Sequence, residues 1–304
     1  MKNDLRKFSP YKRILVPILA EKEPKAALAL AASLRGKVDL LGLLLVAPGA
    51  PISVEAQSAT RLRLAMQKIR AAQPQRGAIR VQIAQDPLKD FIEAIRAQAP
   101  DLLILEWPQH FEALHCRVGD LQELKACSIA VVRGPWPQAA RTIVLPLRGG
   151  PNAAQALRLG MALPHQELQV LHLSAVTTPQ QVVDPPFQGL QQILPKLPGV
   201  QYRRSAADVP LEGILEAAAQ SDLVIMGASV RRPEAVAAPG TVVDQVLQRS
   251  TTPVVVVQAR GPEPEAWTGS AGARAGAQAI SVLVDRWFAE NTYHANEFAN
   301  LQEL

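Results

Sequence analysis

The residues whose types and spacing could do chemistry in this chain are glycines, hydroxyls and helix-start amides. From Asp222 it reads DLVIMGASVRRPEAVAAPGTVVDQVLQRSTTPVVVV as far as Val257. An apolar run of strand length, Leu223 to Met226, stops at Gly227. The chain then passes Ser229, Val230, Arg231, Arg232 and Pro233 and restarts at Gly240-Thr241-Val242, where an amphipathic helix of about ten residues leads to the β-branched run Val254 to Val257. Strand, glycine turn, loop, helix start and strand form an order that suits a phosphate group. Glycine lets backbone approach a ligand closely, and the unpaired amides of a helix start attract anions. On this reading the contacts come from Met226, Gly227, Ser229, Gly240, Thr241 and Val242. Pro146 and Arg148 arrive from the end of an earlier strand, and Arg231 or Arg232 reach phosphates from the loop. The plainer reading of the same residues is a strand ended by Gly227, a helix started by Gly240-Thr241, and solvated arginines.

Other chemistries fail on spacing. His110, His115 and Cys116 fit neither a zinc knuckle nor two ligands on one helical face, so they are expected in an ordinary loop with no metal. His165 and His172 flank a strand, and His294 has no carboxylate and nucleophile arranged beside it. Neither a GxSxG elbow nor a Walker lysine is present. No catalytic residue is assigned, and the chain is read as non-enzymatic.

The elements that must position the glycine segment follow from hydrophobic period. In the first half, Arg13 to Leu19 is a buried-strand pattern, Pro24 to Leu34 a helix, Val38 to Val46 a strand, and Val54 to Ala72 a longer helix. Ile79 to Ala84 alternates as a strand, Asp86-Pro87 opens a helix reaching Gln98, and Asp101 to Leu105 is a strand. A short helix after Gly119 leads into the strand Ile129 to Val132. The second half repeats the order. Thr142 to Leu147 answers Ile14 to Leu19, and Asp101-Leu-Leu-Ile-Leu-Glu106 answers Asp222-Leu-Val-Ile-Met-Gly227. Between them lie the helix Pro151 to Leu163, the strand Glu167 to Leu173, a Pro-rich crossover with a helix near Gln188 to Leu194, the strand Val200 to Ala206 and the helix Pro210 to Gln220. Strands alternating with helices predict an α/β chain of two tandem, doubly wound, parallel five-stranded sheets. The divisions fall at 1–138, 139–260 and a tail, 261–304.

The glycine segment resembles the universal stress protein motif: glycine, two residues, glycine, nine residues, then glycine with Ser or Thr. Gly227, Gly240 and Thr241 are in register, and Val230 stands where the second glycine is expected. The resemblance covers about residues 12 to 259. It implies a Rossmann-like fold of the universal stress type and a stress-response or regulatory role, with ATP or a related adenine nucleotide as the ligand of the second half. Members that bind ATP carry an Asp after the first strand, whereas Leu19 and Arg148 stand at those positions. The first half has Glu106, Gln109 and Asp120 in place of Gly227, Val230 and Thr241, so its site is expected to be degenerate, with acidic side chains filling or repelling a polyphosphate. The resemblance further implies pairing through the fifth strand, here Ile129 to Val132 against Val254 to Val257 within one chain as a pseudo-dimer.

The remaining expectations come from composition. At 304 residues and 48% hydrophobic content a large core can be buried. No run approaches the roughly 18 apolar residues of a membrane helix, no signal peptide is recognised, and the two cysteines read as reduced thiols in a cytoplasm. The net charge is +5 with a pI near 9.4, but the basic clusters lack interleaved aromatics, so nucleic acid is not expected as a partner. From Gly261 a Gly/Pro/Ala-rich linker precedes Ile280, Leu283, Val284 and Trp287 on one helical face. That tail frames the second functional reading, a nucleotide-free scaffold or cytosolic regulator docking a protein partner such as a membrane transporter through residues 280–304. Homo-oligomers are left open, and a slow ATPase is a third reading.

Overall fold

The computed structural model describes residues 11–19, 23–46, 51–116, 120–121, 124, 126–147, 151–174, 194, 199–206, 209–228 and 242–260. The expected helix near Gln188 to Leu194 lies almost wholly outside these residues, as does the tail from 261.

The first half contains β1 (Arg13–Ile18), α1 (Lys25–Ser33), β2 (Lys37–Leu45), α2 (Ile52–Ala72), β3 (Ile79–Ala84), α3 (Pro87–Gln98), β4 (Leu102–Trp107), α4 (Gln109–Ala113) and β5 (Ser128–Arg133). The second contains β6 (Thr142–Pro146), α5 (Pro151–Ala162), β7 (Glu167–Ser174), β8 (Val200–Ala206), α6 (Pro210–Ala219), β9 (Leu223–Gly227), α7 (Val242–Arg249) and β10 (Val254–Gln258). The strand order is β3-β2-β1-β4-β5-β10-β9-β6-β7-β8, so the two expected sheets are merged into one of ten strands. Each half is parallel within itself. The join is antiparallel, Val254 opposite Arg133 and Gln258 opposite Ile129, which places the two β-branched runs side by side.

Helices cover both faces, which is why the central strands are apolar on both sides rather than alternating. One core gathers α1, α2 and α5 against the sheet and runs without a break from Ile14 of β1 to Leu168 of β7. The other gathers α3, α4, α6 and α7. The helix α2 sits close on β2 because Gly42 has no side chain: a Cβ there would lie 2.6 Å from the Met66 sulfur and 3.0 Å from Leu62. The helix α3 begins as its sequence predicts, with the Asp86 carboxylate accepting from the Lys89 amide at 3.1 Å and Pro87 in the first turn.

The halves share a further device. The Asp101 carboxylate, just ahead of β4, accepts from the amides of Lys12 (2.9 Å) and Arg13 (2.8 Å) at the start of β1. Asp222, just ahead of β9, accepts from Arg141 (2.8 Å) and Thr142 (2.9 Å) at the start of β6. Each carboxylate extends a ladder that the backbone alone could not continue. Between halves, Gln155 of α5 donates to the buried Tyr11 hydroxyl at 2.7 Å, and the Arg158 guanidinium lies 5.8 Å from the ring centre. Burial pushes the Tyr11 hydroxyl well above its ordinary pKa, with Arg158 opposing. At the N-terminal ends of the strands, Asp39 is 4% exposed and accepts from the Ala78 amide (2.7 Å) and from Arg13 (3.0 Å). Burial works to raise its pKa, but the Ala78 hydrogen bond, Arg13 and Lys37 outweigh it and hold the carboxyl below the usual range.

Candidate functional site

In each half the first and fourth strands lie side by side, and the helices that follow them pack on opposite faces of the sheet. The ladder between β1 and β4 ends at Leu15 with Leu103, and that between β6 and β9 ends at Val144 with Val224. Beyond those pairs the C-terminal ends have no shared ladder, which is the position where open α/β sheets form a ligand crevice. The glycine segment is attached to the second of these.

The first crevice is occupied by the protein itself. Nothing local caps α1: the residue before it is Pro24, which makes no side-chain cap bond. Instead Glu106, on β4, sends Oε2 to the amides of Ala26 (2.8 Å) and Ala27 (3.1 Å). An anionic oxygen on the first amides of a helix is what a bound phosphate would supply, and here a carboxylate supplies it.

Glu106 is held in turn by a residue that sequence reasoning placed in an ordinary loop. His110 lies in α4, fully buried, and its Nδ1 accepts from the Glu106 amide at 2.9 Å. This fixes the neutral tautomer with hydrogen on Nε2, and that atom makes no hydrogen bond of normal geometry. Burial drives the ring down to about 4, with the Pro17 carbonyl working upward against it. Asp120 and Leu121 do form a short helical turn after Gly119, but α4 is an additional helix ahead of it. The available signal was the run Phe111, Leu114 and Leu121, all buried against β4 and β5.

In the second half Gly227 stands where Glu106 stands in the first. A Cβ at Gly227 would lie 2.9 Å from both the Asn152 carbonyl carbon and its Cβ, and 3.1 Å from the Ala153 amide nitrogen. The first turn of α5 is therefore pressed against the strand end. Asn152 ties the corner together, its Nδ2 donating to the Ala228 carbonyl at 2.9 Å and its Oδ1 accepting from the Ala259 amide at 2.8 Å. Neither role of Asn152 was visible in the sequence.

Of the expected ligand contacts, Met226 is 5% exposed with its side chain in the core beneath α6 and α7, so only its backbone faces the crevice. Gly227 ends β9, Pro146 ends the adjacent β6, and Val242 opens α7, half-buried against the same core. Ser229, Gly240, Thr241 and Arg148 lie outside the described residues, as do Val230, Arg231 and Arg232. The structure thus brings Met226, Gly227 and Pro146 to neighbouring strand ends. Leu19, at one position of the expected acid, is 6% exposed within the core.

Among the described residues no group of His, Cys, Asp and Glu could hold a metal ion. Burial pushes the Cys127 thiol up to about 12, and burial together with Asp120 pushes Cys116 up to about 11. Both are protonated at neutral pH and poor nucleophiles. Among the described residues no helix is long and apolar enough to cross a membrane.

No protein-family model matches the chain. Tubulin epsilon and delta complex protein 2 of Bos taurus is 31% identical over 144 residues, which is 46% of this chain; the chain spans only 30% of that protein's length. Among solved structures, a universal stress protein from Archaeoglobus fulgidus DSM 4304 superposes with a TM-score of 0.56 at 16% identity, covering 84% of this chain and 98% of that one. A functionally unknown protein from Pseudomonas aeruginosa PAO1 gives a TM-score of 0.51 at 13% identity, covering 93% and 99%. Identity at this level speaks to fold alone. The twice-repeated strand order, the two crevices and these neighbours agree: the chain has the fold of the universal stress proteins.

Proposed function

We propose that the chain is a non-enzymatic regulatory module of the universal stress type in which the second half alone binds an adenine nucleotide. The observation that carries this reading is the difference between the two crevices. The first has a carboxylate on the leading amides of α1, whereas Gly227 at the equivalent strand end has no side chain at all. Phosphates would be met by the Gly227 backbone and the start of α7 at Gly240, Thr241 and Val242, with Arg148 as a counter-charge. On this reading the output of binding is conformational or directed at a partner.

One observation favours a nucleotide-free scaffold instead: the space beside Gly227 is already used by Asn152, so the glycine has a packing role that needs no ligand. Calorimetric titration of the full chain with ATP and magnesium separates the two. Saturable heat that disappears in Gly240→Val supports the nucleotide module. An absence of heat with ATP, ADP and AMP, together with retrieval of a protein partner that requires residues 280–304, supports the scaffold. Bound ATP recovered intact after hours of incubation excludes the slow ATPase.

A further inference from the structure

One long stretch of the described residues is strongly basic. Residues 51–84, which form α2 and β3, hold Arg61, Arg63, Lys68, Arg70, Arg76 and Arg80 against a single acid, Glu55. Six minus one is +5, equal to the formal net charge of all 304 residues. All of these cations except Arg70 are exposed, and among the described residues none of the exposed five is in a salt bridge. The same two elements also carry most of the exposed large apolar side chains: Ile52 (83% exposed), Val54 (52%), Leu64 (53%) and Ile83 (50%).

The arrangement is ordered by the helix. Met66 and Ile69, with Leu62 beside them, are the inward face of α2 against β2. Opposite, at alternating three- and four-residue steps, stand Val54, Gln57, Arg61, Leu64 and Lys68, every one exposed. This stripe mixes cations with aliphatics and contains no acid. The 21-residue helix is about 32 Å long, and the strand beneath it, β3, is an outer edge of the ten-stranded sheet.

We propose that the outward face of α2, with the edge strand β3, docks on the anionic lipid headgroups of a membrane surface. A long helix whose solvent side mixes basic and aliphatic residues matches such a surface in both respects. The cations meet the negative surface potential, and Val54 and Leu64 reach the apolar layer just beneath the headgroups. Docking of this kind requires no groove. Nucleic acid fits less well, because residues 51–84 contain no aromatic side chain on which a base could stack. A second copy of the chain would bring +5 against +5. The inference does not depend on nucleotide binding in the second half.

The test is co-sedimentation of the full chain with vesicles of phosphatidylcholine alone and of phosphatidylcholine with about one third phosphatidylglycerol. Binding is expected only to the anionic vesicles and is expected to weaken as salt is raised. Since each basic side chain near a charged bilayer contributes a factor of about five, Arg61→Gln with Lys68→Gln should weaken partition roughly thirtyfold. Val54→Gln with Leu64→Gln should weaken it as well. The control pair Lys89→Gln with Arg96→Gln, exposed on α3 across the sheet, should bind as the parent does. All six substituted side chains are exposed, and unchanged circular dichroism checks the fold. The proposal is overturned if the chain stays in the supernatant, or if the Arg61/Lys68 pair binds anionic vesicles as tightly as the parent. It is equally overturned if the Val54/Leu64 pair has no effect while an oligonucleotide binds through the same cations.

Discussion

His110 makes the first half sensitive to acid in a way that can be worked out in advance. Its ring is buried, its Nδ1 accepts the Glu106 amide, and its folded pKa is about 4, whereas an unfolded histidine titrates near 6.5. Above about pH 6.5 neither state binds the proton, and the full contribution of the neutral ring is present. As pH falls below that value the unfolded chain takes up a proton that the folded chain refuses, so stability declines until the folded ring titrates too. At about 1.4 kcal/mol per pH unit, the interval from about 6.5 to about 4 is worth about 3 kcal/mol. Protonation would also turn Nδ1 from acceptor to donor and strip the Glu106 amide of its partner. The assay is urea unfolding at a series of pH values for the parent, for His110→Asn, which retains an acceptor for that amide, and for His110→Phe, which retains bulk. Both variants start less stable at pH 7, and both should lose less stability than the parent between pH 6.5 and 4.5. Asp39 does not confuse this window, because its depressed carboxyl contributes stability that is present above about pH 4 and lost only below it. Parallel curves for parent and variants across that range would refute the assignment, as would a histidine resonance from His110 titrating near 6.5.

Glu106→Ala removes the carboxylate from the Ala26 and Ala27 amides and should lower stability by about 1–2 kcal/mol, read as a shift in urea midpoint beside the exposed control Glu93→Ala; an unchanged midpoint would mean that water replaces the cap at no loss. Gly227→Ala sets a methyl group 2.9 Å from Asn152 and should destabilise by about 1–3 kcal/mol, whereas full stability in that variant would show that α5 moves aside freely.

The alternation of apolar runs and helical patterns carried most of the architecture, because strands buried on both faces leave uninterrupted aliphatic runs such as Leu102 to Leu105 and Val254 to Val257. The repeated Asp-Leu-x-Ile was legible as a repeat, and the reason for its aspartate became visible only with the amides of Arg13 and Thr142 in place. The site was less legible, for reasons of distance along the chain. Glu106 caps a helix that begins some 80 residues earlier, and Asn152 braces Ala259 across 107 positions. A sequence shows that α1 lacks a local Ser, Thr, Asp or Asn cap but not which remote oxygen replaces it. His110 was misplaced for a related reason, since a single turn of helix is too short to show a period.

The antiparallel seam between β5 and β10 has a consequence for inheritance. Where two identical chains meet at such a seam, every substitution near it appears twice, and a change useful on one side must be tolerated on the other. Covalent linkage removes that constraint and makes the encounter independent of concentration. Glu106 and Gly227 occupy equivalent strand ends with opposite chemistry, a difference that two identical chains could not carry.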